Sequence, residues 1–146
     1  MLILGSLPGE RSLAQQQYYA HPRNRFWHLV GHAIGQDLQS LDYAGRLATL
    51  QAAGIGLWDT VASATRTGSL DAAIRDAEAN PLAELVTTLP ALRAVAFNGT
   101  ASARIGTMQL AGTAVALLSL PASSPANAAM PLTQKEKLWA RIADYL

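Results

Sequence analysis

Residues 18–27 carry the densest group of chemically useful side chains in this sequence, Tyr-Tyr-Ala-His-Pro-Arg-Asn-Arg-Phe-Trp. The aromatic rings can stack on flat ligands, and the arginines can attract phosphate. The histidine and the asparagine can form hydrogen bonds. A protein that holds an unstacked nucleobase needs all three capacities. The segment therefore predicts a site for a nucleotide or a nucleic acid.

Three polar loops that contain glycine or proline are expected to lie beside this segment. They cover residues 5–9, 98–99 and 120–127, and each follows an apolar stretch that predicts a strand. The carboxyl ends of parallel strands share one edge of an α/β sheet, where such folds bind their ligands. We therefore expect the three loops and the aromatic-basic segment to form one cleft.

Predicted strands and helices alternate along the chain. Strands are expected at residues 2–4, 55–58, 94–97 and 113–120. Helices are expected at residues 24–35, 42–53, 70–77 and 81–89, from residue 100, and at the C-terminus. Loops are expected at residues 10–23, 59–69 and 121–131. This order predicts a three-layer α/β/α sandwich with a central, mainly parallel four-stranded sheet, formed by residues 1–146 as a single domain.

Capping residues predict where two of these helices begin. Asn24 is a good N-cap for the helix at residues 24–35. Thr133 is expected to cap the last helix, with Glu136 completing a capping box. The buried face of that helix is expected to carry Leu138, Ile142 and Leu146.

Composition limits the classes of function. Of the 146 residues, 50% are hydrophobic and 14% charged, which predicts a compact globular fold. The formal net charge is only +1, so binding to nucleic acid would depend on a local cluster. Four residues near the N-terminus supply one: Arg11, His21, Arg23 and Arg25. No signal peptide or membrane span is expected, and the lack of cysteine is compatible with a reducing, cytoplasmic location.

Several cofactor-dependent and hydrolytic chemistries are disfavoured. The sequence lacks the Gly-x-Ser-x-Gly elbow of serine hydrolases and the glycine motifs that bind ATP or NAD. His28 and His32 have the i, i+4 spacing of metal ligands, but no third ligand is evident. We therefore expect neither a metal nor a cofactor.

Four blocks of the sequence, in this order and spacing, resemble the uracil-DNA glycosylase superfamily. Gly-Ser-Leu-Pro-Gly at residues 5–9 resembles its first motif, and Leu-Pro-Ala-Ser-Ser-Pro-Ala-Asn at residues 120–127 resembles its second. Between them lie Phe-Asn-Gly at residues 97–99 and the string His-Pro-Arg-Asn-Arg-Phe-Trp at residues 21–27, which is shared with mismatch-specific uracil glycosylases. The resemblance covers nearly the whole chain.

Two departures from the usual motifs narrow the resemblance. Leu7 stands where mismatch-specific members carry a catalytic asparagine, and Ala122 stands where serine is usual in the second motif. Residues 5–9, 17–24 and 56–59 instead resemble the hypoxanthine-DNA (deoxyinosine) glycosylase branch. That branch removes a deaminated adenine from DNA, and its important amide corresponds to Asn24. A monofunctional enzyme of base excision repair is implied, because neither lysine of the chain lies in a motif.

The resemblance also implies roles for individual residues. Asn24 would place water or contact the base, and His21 would donate to the departing base. The base would be flipped out of the helix and bound by Ser6, Leu7, Tyr19 and Asn98. DNA would be bound through Arg23, Arg25, Leu120, Pro121, Ser123 and Ser124. Asp59 would assist as a base or would only close a strand-end turn.

Two other interpretations remain open. The first is a mismatch-type uracil-DNA glycosylase with relaxed base choice. The second, for which Leu7 is the reason, is a nucleic-acid-binding α/β module without catalysis. Both glycosylase hypotheses predict a monomer whose partner is DNA that contains deaminated bases. Neither predicts binding to a membrane.

Overall fold

The computed structural model describes residues 1–65 and 75–146. Its strands are β1 (Leu2–Gly5), β2 (Gly56–Asp59), β3 (Val61–Thr65), β4 (Arg75–Ala79), β5 (Ala94–Asn98) and β6 (Ala116–Leu120). Its α-helices are α1 (Glu10–Gln15), α2 (Phe26–Ile34), α3 (Tyr43–Ala52), α4 (Leu82–Thr87), α5 (Thr100–Leu110) and α6 (Leu132–Trp139). A 3₁₀ helix, Ala140–Tyr145, follows α6 directly.

The central sheet is parallel and has the strand order β2-β1-β5-β6. The register places Gly5 beside Asp59, and Asn98 beside Leu120. The loops that follow these strands therefore leave from the same edge of the sheet. Both the four-stranded parallel sheet and the convergence of its loops are confirmed.

Helices cover both faces of this sheet. Ile3 packs with α2, α3 and α6 in one core, where Phe26 and Trp139 are among the largest buried side chains. Leu2 and Leu4 point to the opposite face, where they pack with residues of α4 and α5. This alternation along β1 is the two-residue period of a strand, and it confirms the three-layer α/β/α arrangement.

A two-stranded antiparallel ribbon, formed by β3 and β4, stands beside the central sheet. It contradicts the loop predicted at residues 59–69 and the helix predicted at residues 70–77, although residues 66–74 lie outside the described part of the chain. The residues of β4, Arg-Asp-Ala-Glu-Ala, favour a helix locally. Pairing with β3 overrides that preference, and an isolated window of sequence does not reveal such pairing.

The predictions for two further helices were wrong in part. Helix α1 lies inside the predicted loop at residues 10–23, and its six residues are too few to show a clear period. Helix α6 begins after Pro131 without a side-chain cap, so Thr133 does not cap it. The buried residues of this helix are Lys135 and Trp139, and Leu146 is 43% exposed.

Candidate active site

Ser123 joins two asparagines from different parts of the chain. Its hydroxyl donates to Oδ1 of Asn24 at 2.8 Å and accepts from Nδ2 of Asn98 at 2.8 Å. Its backbone N–H donates to Oδ1 of Asn98, also at 2.8 Å. Ser123 is only 1% exposed, so these hydrogen bonds form where water competes little. They fix the start of α2, the end of β5 and the loop after β6 to one another.

Backbone contacts hold the same loop from both sides. The N–H of Arg25 donates to the carbonyl of Ser123 at 2.9 Å, and the indole N–H of Trp139 donates to the carbonyl of Pro121 at 2.9 Å. Gly99 has a φ of +100°, and a Cβ at this position would lie 3.1 Å from the Cβ of Ala122. A glycine is therefore needed both for the turn after β5 and for the close approach of the loop.

The orientation of the Asn24 amide follows from its hydrogen bonds. The N–H of Phe26 can only donate, and it contacts Oδ1 of Asn24 at 3.0 Å. The helix begins at Phe26 with Arg25 as its N-cap and without a side-chain cap, so the prediction that Asn24 is the N-cap was wrong. Asn24 instead closes a turn just before the helix by accepting from the N–H of its first residue. With the Ser123 hydroxyl, this oxygen accepts two hydrogen bonds. The Nδ2 group has no hydrogen-bond partner within residues 1–65 and 75–146, so it can donate to a ligand.

Tyr19 lies over Gly5 at the neighbouring part of the same edge. A Cβ on Gly5 would lie 3.2 Å from the Tyr19 hydroxyl and 3.0 Å from Oδ1 of Asp59. The Tyr19 ring stacks on Phe26, with centroids 3.8 Å apart and an interplanar angle of 14°. Phe26 and Trp27 are buried. Tyr19 is half-buried rather than exposed, so only its face away from Phe26 can meet a base.

Asp59 and Tyr18 form the strongly perturbed ionisable pair of this edge. Burial raises the pKa of Asp59 to about 7, although the hydrogen bond from the Tyr18 hydroxyl lowers it in part. Burial also raises the pKa of Tyr18 to about 12, and the charge of Asp59 and that hydrogen bond add to the effect. Tyr18 is one of the aromatic residues 18–27 predicted to offer a stacking surface, but it is half-buried. Instead it holds the carboxyl group at the end of β2.

The first polar loop is anchored through its backbone. The N–H of Thr60 donates to the carbonyl of Gly5 at 2.8 Å, and the N–H of Val61 donates to the carbonyl of Ser6 at 2.9 Å. Ser6 is buried and Leu7 is half-buried. Both residues therefore lie at the carboxyl edge of β1, where they were expected, beside Asp59 of the neighbouring strand.

His21 and Arg23 belong to the turn that precedes α2. Nδ1 of His21 accepts from the backbone N–H of Arg23 at 3.1 Å. In the neutral ring this contact leaves the proton on Nε2, so His21 can donate from that atom. The carbonyl of His21 also accepts from the N–H of Asn24 at 2.9 Å. Arg23 and Arg25 are both exposed.

Three of the residues expected to touch the base or the DNA point inward instead. Leu120 is 3% exposed and belongs to the core, so its side chain is not available to fill a gap in the DNA. The Ser123 hydroxyl is occupied by two asparagines, which leaves it unsuited to phosphate. Asn98 bonds Ser123 through both its amide oxygen and its amide nitrogen, so it positions the loop; its contact with a base edge stays a prediction.

Two other loop residues keep partial exposure. Pro121 and Ser124 are half-buried, and the Ser124 hydroxyl accepts from the N–H of Ala126 at 3.1 Å. Their positions are compatible with contact to a DNA strand. Sequence reasoning left the role of Asp59 open, and the signal that favours a site role is its place at the end of a parallel strand.

The histidines at i, i+4 spacing form a structural contact. Nε2 of His28 lies 2.7 Å from Oε1 of Glu136, and the rings of His28 and His32 are 6.4 Å apart. In the described part of the chain, no group of three or more histidine, aspartate or glutamate side chains could hold a metal ion. None of the described helices is long and apolar enough to cross a membrane.

The Asp59 pKa predicts a pH dependence of stability. A carboxyl with a pKa of about 7 in the folded state, against about 3.9 when unfolded, binds more protons when folded. The contribution of Asp59 to the free energy of unfolding should therefore be largest below pH 4 and should fall as the pH rises from 4 to 7. The loss should be roughly 1–3 kcal/mol, and Asp59→Asn should remove it. Urea unfolding at pH 5 and pH 8 measures both proteins, and an equal pH dependence in the two would contradict the assignment.

Two curated proteins are similar to this chain in sequence. A protein from Methanosarcina acetivorans named hypoxanthine DNA glycosylase is 45% identical over 127 residues, which cover 87% of this chain and 80% of that protein. A protein of the same name from Methanosarcina barkeri is 48% identical over 99 residues, or 68% of this chain and 63% of that protein.

A solved structure and a family profile extend the comparison to almost the full chain. A solution NMR structure of a protein described as a "putative Uracil DNA glycosylase" from Methanosarcina acetivorans matches with a TM-score of 0.87 and 40% identity. The match covers 99% of this chain and 89% of that one. The profile of the uracil DNA glycosylase superfamily matches residues 1–145. The chain therefore belongs to the uracil DNA glycosylase superfamily.

Proposed function

We propose that this protein is a monofunctional DNA glycosylase that removes hypoxanthine from deoxyinosine in DNA. The observation that carries the proposal is the Asn24 amide, whose oxygen is fixed by two hydrogen bonds and whose Nδ2 group can donate. The names of the two Methanosarcina relatives support hypoxanthine as the base. Residues 1–146 would act as one domain.

The Asn24 donor suits the charge that develops in the reaction. Cleavage of the N-glycosidic bond moves its electron pair onto the base, while the sugar becomes positive at C1′. A donor that is already oriented toward the base stabilises that negative charge, which is often worth about 3–4 kcal/mol of barrier. Oδ1 of Asn24 already accepts twice, so this residue is proposed to act as a donor rather than as a proton acceptor.

A water molecule must then add to C1′ and lose a proton. Asp59 is the ionisable carboxyl at this edge of the sheet, and it lies two strands away from Asn98. Adjacent strands are ~4.8 Å apart, so about 10 Å separates these strand ends, enough for a base and its sugar. We propose that ionised Asp59 accepts the water proton. His21, through Nε2, and Asn24 would donate to the base as it leaves.

Base and backbone contacts complete the proposed site. A flipped base would lie in the space bordered by Ser6 and Leu7 and would stack on the face of the Tyr19 ring that points away from Phe26. Arg23, Arg25, Pro121 and Ser124 would contact the DNA strand. We further propose that the protein acts as a monomer in the cytoplasm.

The function is tested by base release from a panel of duplexes. Duplexes that carry deoxyinosine, deoxyuridine or deoxyxanthosine are incubated with the protein, and alkali then cleaves the abasic sites. Deoxyinosine should be cleaved fastest, with no strand break before alkali. Faster release of uracil would favour the mismatch-type uracil glycosylase. Binding to these duplexes without alkali-labile sites would favour the non-catalytic module.

The role of Asn24 is tested by Asn24→Asp, which keeps Oδ1 and replaces the Nδ2 donor with oxygen. The single-turnover rate on deoxyinosine should fall about 100–1000-fold, because the donor is lost. Gln51→Glu makes the same chemical change at an exposed position of α3 and should leave the rate within about twofold. An Asn24→Asp protein as fast as the control would remove Asn24 from the reaction.

The proposed role of Asp59 predicts a pH dependence of the rate. The wild-type rate should rise with pH through about 7, because the ionised carboxylate is the active form. Asp59→Asn should lower the rate about 100-fold at pH 8 and should flatten this rise. Single-turnover rates from pH 5.5 to 8.5 give both profiles. A variant that keeps the wild-type rise would show that another group titrates.

A further inference from the structure

Lys135 is a buried lysine that the proposed reaction does not use. It lies on α6 and is only 5% exposed. Its ammonium group has no hydrogen-bond partner in the part of the chain that the structure describes. Within that part, Nε1 of Trp27 is the one fully buried side-chain nitrogen or oxygen without a partner. The ammonium tip of Lys135 must therefore touch solvent while its aliphatic stem is covered.

Helix α6 places Lys135 near the residue that contacts the loop after β6. Lys135 stands one turn before Trp139 on the buried face of α6, and Trp139 donates to the carbonyl of Pro121. From the opposite side, Arg25 donates its backbone N–H to the carbonyl of Ser123. Lys135 thus stands one helical turn from a residue that contacts this loop, Arg25 contacts the loop from the other side, and the charge of Arg25 acts on Lys135.

Among the described residues, no acidic side chain balances the positive charge of Lys135. Burial lowers the pKa of Lys135, and the positive charge of Arg25 lowers it further. Within residues 1–65 and 75–146, no carboxylate acts in the opposite direction on this lysine. The adjacent acid on α6, Glu136, is bonded to His28 instead. Two cations held near each other repel, and an anion from outside that lies between them would relieve this repulsion.

We propose that Lys135 and Arg25 together bind one phosphodiester of the DNA strand that carries the target nucleotide. The inference rests on the proposed function for the identity of the ligand. Arg25 follows Asn24 directly, so the phosphate would lie next to the flipped nucleotide. Arg25 supplies a planar, exposed guanidinium, and Lys135 supplies a point charge that its buried stem holds in place.

The chain offers a matched control, because Lys137 is the other lysine and is exposed on the same helix. Lys135→Met keeps the length and apolar character of the stem but removes the charge, and Lys137→Met does the same at the exposed position. The Kd for a lesion-free duplex and for a deoxyinosine duplex is measured for each protein between 50 and 200 mM salt. Unfolding in urea confirms that both variants are folded.

Lys135→Met should weaken binding to both duplexes about 5–10-fold at 50 mM salt. The slope of log K against log salt should become less steep by about 0.9, the value expected for one phosphate contact. Lys137→Met should change affinity less than twofold, and Lys135→Arg should recover most of the wild-type slope. Equal slopes for Lys135→Met and Lys137→Met would overturn the inference.

Neutral backbone linkages can locate the phosphate. In duplexes that each carry a single methylphosphonate near deoxyinosine, one position should weaken wild-type binding about 5–10-fold and should have less than a twofold effect on Lys135→Met. Additive losses at every position would contradict the contact. These measurements read binding alone, so they separate a failure of this inference from a failure of the glycosylase proposal, which base release tests.

Discussion

The hydrogen bonds of Ser123 are the constraint on which the rest of the site depends. One buried hydroxyl accepts from Asn98 and donates to Asn24, so the ends of β5 and β6 and the start of α2 must come together. A free asparagine amide can rotate, but here Oδ1 of Asn24 is held by Ser123 and by the N–H of Phe26. The protein thus orients a donor before any ligand arrives, and such preorganisation makes a donor effective in catalysis.

The site then divides between two parts of one sheet edge. Near β5 and β6, neutral amides and hydroxyls position Asn24 and the loop at residues 120–127. Near β1 and β2, Asp59 and Tyr19 meet over Gly5, where no side chain larger than hydrogen fits without a shift. The first part suits a base that becomes negative, and the second supplies an ionisable group with a pKa of about 7. Because residue 7 is leucine in this chain, it supplies neither the hydrogen-bond donor for the base nor the ionisable group. These two functions are proposed to come from Asn24 and Asp59.

The sequence allowed the central sheet and the position of the site to be predicted, because these depend on local patterns. Apolar strands that end in glycine or asparagine mark the edge, and Asn24 precedes an amphipathic helix. The β3–β4 ribbon could not be predicted, since its strands pair at a distance and β4 carries residues that favour helices. The directions of the side chains in the loop at residues 120–127 could not be predicted either. An irregular loop has no period, so nothing in its sequence indicated that Ser123 points inward or that Leu120 joins the core.

The central claim is that Nδ2 of Asn24 donates a hydrogen bond to the flipped hypoxanthine. NMR of the Asn24 side-chain amide in a complex tests it most directly. The complex would contain a duplex with 2′-fluoro-deoxyinosine, in which the electron-withdrawing fluorine slows cleavage. One amide proton should move downfield relative to the complex with a deoxyadenosine duplex. An Asn24 amide with the same shifts in both complexes would contradict the account.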